Sequence, residues 1–138
     1  AWGMAGIRLG MAFAAEPVAE LFARVKYPYN INGPTQRIVA ERLSTDIAPQ
    51  VAELRSERER MAQALAACPA VERVYPSDAN FLLVRTAAPD RLYDTLIVAG
   101  VIVRNRSRIP GCAGCLRMTI GRPEENDLLL QTVQNFRP

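Results

Sequence analysis

The alternation of apolar and polar residues along the chain changes period several times, and each change marks an expected element. An apolar run from Ile7 to Ala15 reads as a strand, and Glu16-Pro17 then opens a short helix to about Arg24. Lys26 to Pro34 (KYPYNINGP) is a connector, because two prolines and an Asn-Gly pair punctuate it. A helical pattern runs from Thr35 to about Leu43. A longer one runs to about Ala67, capped by Thr45 or Asp46, with Pro49 in its first turn and Val51, Leu54, Met61 and Leu65 on one face. Cys68-Pro69 stops it. The spacing then predicts strands over Val71–Tyr75 and Phe81–Val84, a helix from Pro89 to Ala99 closed by Gly100, and a strand over Val101–Val103. A long loop over 105–114, a strand over Leu116–Ile120 and a last helix from Pro123 to about Phe136 complete the order. From Val71 onward this is strand, strand, helix, strand, strand, helix, the pattern of a small α+β domain whose mostly antiparallel sheet is covered by helices.

Composition narrows the chemistry. The 138 residues are 49% hydrophobic and 22% charged, an ordinary globular balance. Disordered, collagen-like and coiled-coil readings fall, and no run of eighteen apolar residues exists to span a membrane. Histidine is absent, so the chain itself holds no Ser-His-Asp or Cys-His machinery and no His-ligated zinc. The net charge of +3 comes from sixteen arginines and the single Lys26 against 14 acids. That excess is too small to indicate nucleic acid, and neither nucleic acid nor membrane is expected as a partner. Cys68, Cys112 and Cys115 are an odd set, suited to reduced thiols in a cytoplasm. The Cys112–Cys115 pair has C-x-x-C spacing but lacks the ligands zinc wants and precedes a strand instead of opening a helix, so it reads as a turn and no metal is expected.

One stretch carries the chemistry. Between Arg104 and Arg122 there are five arginines (104, 106, 108, 117 and 122) and no acid. Arg104 follows an expected strand and Arg117 lies within one, so both forks sit on rigid elements and together suit a carboxylate or a phosphomonoester. Arg117, alone in an apolar strand, needs a buried partner. Arg106, Arg108 and Arg122 read as solvated.

The segments AGIRLG (5–10), PYNIN (28–32), PSDANFLLVR (76–85), GVIVRNRSR (100–108) and CLRMTIGRPEEN (115–126) occur in the order found in a known family. They resemble the histidinol-phosphate aminotransferases, pyridoxal 5'-phosphate enzymes of the class I/II aminotransferases. The first segment points to aminotransferases broadly, and the last three point to this family. The resemblance implies the α/β fold of type I PLP-dependent transferases, with residues 1–32 closing the large cofactor domain, 33–68 forming interdomain helices and 69–138 forming the small α+β domain. It places the lysine that forms the Schiff base immediately before Ala1, so no catalytic residue is expected within this chain, Lys26 does not match, and the chain alone is expected to be inactive and poorly soluble. Arg8 matches the arginine that holds the cofactor phosphate. Arg117 matches the one that captures the substrate acid group, and Arg104 its neighbour that helps select a phosphate-bearing side chain. Asn80 would line the pocket or shape its turn, while Tyr29 and Asn30 lie where such homodimers reach toward the neighbouring active site.

The implied reaction is a ping-pong amino transfer, with imidazole-acetol phosphate and glutamate giving histidinol phosphate and 2-oxoglutarate in histidine biosynthesis, in the cytoplasm. Close relatives act on aromatic amino acids, which is the alternative substrate class. Two rival classes are a non-catalytic phosphate- or carboxylate-binding α+β module and an assembly partner for a separately encoded piece.

Overall fold

The computed structural model describes residues 2–137. The expected lysine before Ala1, and the terminal residues Ala1 and Pro138, lie outside them. The chain divides into two compact units, one up to Pro49 and one from Gln50. The first contains a 3₁₀ turn at Ala5–Ile7 and two helices, α1 (Glu16–Val25) and α2 (Gly33–Leu43). Both helices carry proline in the first turn, where no backbone N–H is needed. The Asn32 side chain caps α2 by accepting from the Thr35 N–H at 2.9 Å. The expected strand over 7–15 does not form. Met11 and Phe13 are exposed, and a strand needs a partner edge that the described residues do not place beside it.

Nearly all of α3 (Ala48–Ala66) belongs to the second unit, with Asp46 Oδ1 accepting from the Ala48 N–H at its start. Strands β1 (Arg73–Val74), β2 (Phe81–Arg85), β3 (Arg104–Asn105) and β4 (Cys115–Thr119) form one antiparallel sheet in the order β1-β2-β4-β3. Helices α4 (Pro89–Val98) and α5 (Pro123–Asn135) follow β2 and β4. Strand alternation divides the sheet residues between two faces. Leu82, Val84, Leu116 and Met118 point into a core with Met61 and Leu65 of α3, Leu92 and Leu96 of α4, and Leu129 and Val133 of α5. Each fully buried leucine there contributes about 1.5–3 kcal/mol. Phe81, Leu83, Arg117 and Thr119 occupy the opposite face, which stays partly open. The expected strand at Val101–Val103 is displaced. The Val101 N–H still bonds the Leu96 carbonyl as the helix closes through Gly100 (φ +81°), and ladder pairing begins only at Arg104. Among the described residues no helix is long and apolar enough to cross a membrane.

Candidate anion-binding site

Arg104 of β3 stands directly opposite Arg117 of β4 in the ladder, so their side chains share the open face of the sheet. Like charges so placed repel by about 0.2–1 kcal/mol unless something offsets them. Both line a cavity of about 570 Å³, with Arg106, Tyr93, Asn105 and Thr119 as its other polar walls. No acid lines it, and none of the three arginines takes part in an ion pair found among the described residues. A second cavity, of about 690 Å³ between α3 and the 75–78 turn, differs in kind. Its Arg58 is occupied by the Ala79 carbonyl at 2.9 Å and by Asp78.

The partner that the sequence context of Arg117 called for is an aromatic ring, and among the described residues no acid pairs with it. Alternation turns it onto the open face, where its guanidinium carbon lies 5.1 Å from the Phe81 ring centroid and its Nε is buried without a hydrogen-bond partner. The aromatic face below holds the guanidinium by cation–π attraction, leaving the fork as donors with no acceptor among the described residues. An unpartnered buried donor costs about 1–3 kcal/mol, which makes this cavity the candidate anion site.

The frame around the arginines is built from the backbone. Asn105 Nδ2 donates to Asp90 Oδ1 of α4 at 2.6 Å, and Asn105 Oδ1 accepts from the Ser107 N–H at 3.0 Å. The Arg106 N–H donates to the Cys115 carbonyl at 2.8 Å, carrying the pairing one residue past β3. Tyr93, Arg106 and Phe81 are the cavity and support residues that sequence reasoning missed. The i, i+2 spacing of Arg104 and Arg106 was the available signal, hidden by the expectation of a loop from 105. Arg108 lies outside the cavity lining and is exposed, while Arg122 is bound to Glu125.

The other candidates lie elsewhere. Asn80 is exposed, and its carbonyl accepts from the Ile120 N–H at 2.9 Å in the turn before β2; it does not line the arginine cavity. Arg8, Tyr29 and Asn30 belong to the first unit and are exposed. Arg8 (φ 60°) and Tyr29 (φ 57°) are the two non-glycine residues in the left-handed region among those described. Such backbone costs about 1–3 kcal/mol and concentrates at binding sites. A Cβ built on Gly6 or Gly10 would meet nothing within 4 Å, so the backbone beside Arg8 is open to close approach. An exposed guanidinium on this open segment, in no ion pair among the described residues, fits a phosphate-bearing cofactor. The thiols do not form a competing site: burial pushes those of Cys68 and Cys115 up, away from the reactive thiolate.

The pattern of the family aminotransferase class I and II matches residues 1–133. A histidinol-phosphate aminotransferase of Parabacteroides distasonis is 48% identical over 99% of this chain and 40% of its own length. Another, of Flavobacterium psychrophilum, is 38% identical over 97% of the chain and 39% of its own length. Among solved structures, a Burkholderia pseudomallei protein assigned as an aminotransferase superposes with a TM-score of 0.85 at 31% identity, over 96% of this chain and 41% of that one. A decarboxylase of Sulfurospirillum multivorans superposes with a TM-score of 0.78 at 26% identity, over 96% of this chain and 40% of that one. The chain thus spans about 40% of the length of the curated relatives it matches.

Proposed function

The chain belongs to the aminotransferase class I and II family, and we propose that the protein containing it transfers an amino group between glutamate and a phosphate-bearing keto substrate with pyridoxal 5'-phosphate. The reaction read here is imidazole-acetol phosphate and glutamate giving histidinol phosphate and 2-oxoglutarate. The relatives named for that activity support it, while the decarboxylase of like fold is a reminder that fold alone fixes no reaction. The observation that carries the proposal is the ladder pair Arg104–Arg117 in a cavity without acids.

In this reading each residue has one physical task. When bound, the cofactor supplies the electron sink for bond changes at the substrate's amino-bearing carbon. Arg8 grips the cofactor's phosphate through charge-assisted hydrogen bonds and keeps it from swinging. Arg117, steadied on Phe81, takes the acid group of either substrate, the carboxylate of glutamate or the phosphate of the second substrate, and Arg104 helps to hold that phosphate. Alternating use of one cavity by two anionic substrates is what a ping-pong exchange requires. Asn80 is assigned to shaping the turn before β2, Tyr29 and Asn30 to the walls of the assembled site across a homodimer, and the protein to the cytoplasm.

The test is amino transfer by the full-length, cofactor-loaded protein with glutamate as donor. The reading expects kcat/KM for imidazole-acetol phosphate to exceed that for phenylpyruvate by about 100-fold or more, the gap expected from pairing a buried charge. A preference for phenylpyruvate would replace it with the aromatic amino-acid reading. Binding of phosphate without any amino transfer would leave the non-catalytic module.

A further inference from the structure

We propose that Arg106 is a specificity-determining residue of the arginine cavity, supplying a third guanidinium that favours a doubly charged phosphate monoester over a singly charged carboxylate. The inference rests on the aminotransferase reading above and adds to it a residue outside the Arg104–Arg117 pair.

Arg104 lies on β3 directly across from Arg117, and Arg106, just past the end of that strand, lines the same cavity. Arg106 is held at both backbone groups: its N–H donates to the Cys115 carbonyl at 2.8 Å, and its carbonyl accepts from the Ile109 N–H at 2.9 Å. Its side chain is half-buried and lines the cavity, and it joins no ion pair among the described residues. A structural arginine so placed would be expected to meet an acid, yet none lines the cavity. Three cations collected at one cavity therefore need a compensating ligand.

The ligand's chemistry follows from counting. A carboxylate has one charge and two oxygens, which a single fork satisfies. A phosphate monoester has nearly two charges and three terminal oxygens, which exceed what one fork can pair. With Arg117 and Arg104 offering one fork each, Arg106 completes the set for the third terminal oxygen of phosphate and is surplus for carboxylate. Loss of Arg106 is thus expected to weaken phosphate selectively.

The experiment uses the full-length protein loaded with pyridoxal 5'-phosphate, so that the cofactor's own phosphate site is filled, and titrates inorganic phosphate and propionate by calorimetry. Arg106→Gln is expected to weaken phosphate about tenfold and propionate less than about threefold, the loss of one charge-assisted pair, and Arg106→Lys to recover most of the phosphate affinity. In turnover, Arg106→Gln is expected to raise the KM for histidinol phosphate by a similar factor while leaving kcat within about twofold, as loss of uniform binding does. If Arg106→Gln leaves both titrations unchanged while Arg104→Ala weakens phosphate, the proposal is overturned and the cavity reading stands. Equal weakening of phosphate and propionate overturns the selectivity. Selective weakening of phosphate in a protein that does not turn over histidinol phosphate supports Arg106 and removes the substrate reading instead.

Discussion

At Gly114 the backbone takes φ +73°, and a Cβ built there would lie 3.0 Å from the Thr86 carbonyl oxygen. The Thr86 N–H in turn donates to the Gly114 carbonyl at 2.9 Å, so the turn cannot move away from the strand end. Gly111 has φ +81° but open space around the same position. Gly114→Ala is therefore expected to destabilise by about 1–3 kcal/mol, from strain and contact together. Gly111→Ala is expected to cost about 1 kcal/mol, from strain alone. Denaturant melts of the two variants check this, and equal losses would contradict the close approach at Gly114. The same geometry accounts for the C-x-x-C spacing: Cys112 and Cys115 flank a glycine-dependent turn, with the Cys115 N–H bonded to the Cys112 carbonyl at 3.0 Å. At this scale the sequence drew attention to Arg117, because a charged residue in an apolar strand is conspicuous, and to Arg104 just after an apolar run. It called for a partner to Arg117 without identifying it, since a ring across the ladder leaves no trace in the spacing of the chain.

Among the elements, α3 and α5 are tied by a polar clamp. Asn126, 1% exposed, accepts from the Gly121 N–H at 2.9 Å and donates to Gly121 O at 3.0 Å and to Glu57 Oε2 at 2.8 Å. Asn126→Ala removes the partner of the Gly121 N–H and carbonyl and one of the two partners of Glu57 Oε2, and is expected to cost about 2–3 kcal/mol in a denaturant melt. Arg60, bonded to Glu57 at 2.8 Å, and then Asn126 hold the Glu57 carboxyl below its ordinary value of 4.5. A depressed carboxyl stabilises the fold above its unfolded pKa, and that share is lost as pH falls through the folded pKa, because the unfolded chain takes the proton first. Glu57→Gln is expected to be less stable near neutrality and to lose less than the parent between about pH 5 and pH 3. Parallel acid limbs would contradict this. Helix starts were easy to read because a proline marks the opening of each, at positions 17, 34, 49, 89 and 123. Strand β3 was not, since two polar residues on a sheet edge carry no hydrophobic alternation. The apolar run at 7–15 misled in the other direction, because apolar content favours burial generally and a strand only where an edge is offered.

For the molecule as a whole, the two units differ in how they are built. The second closes its own core over one sheet face. In the first, Val39 is the one buried hydrophobic residue among those described, and Val18, Leu21, Phe22 and Val25 form an exposed apolar stripe on α1 at i, i+3, i+4 and i+7 spacing. The helix α1 itself was legible in the sequence, but whether its apolar stripe is covered is a property of surfaces beyond the helix. The α+β order from Val71 onward was legible because every strand-to-helix junction there is marked by turn chemistry. The chain spans about 40% of the length of the curated relatives it matches. The central element of the proposed function is the unsatisfied fork of Arg117 beside Arg104. The decisive measurement is kcat/KM for histidinol phosphate and 2-oxoglutarate in the full-length, cofactor-loaded protein and its Arg117→Ala variant. Loss of a charge partner for a bound anion predicts a fall of about 30-fold or more with both substrates. Values within about threefold of the parent, in a variant that keeps its fold and cofactor, would contradict the assignment of this cavity to substrate.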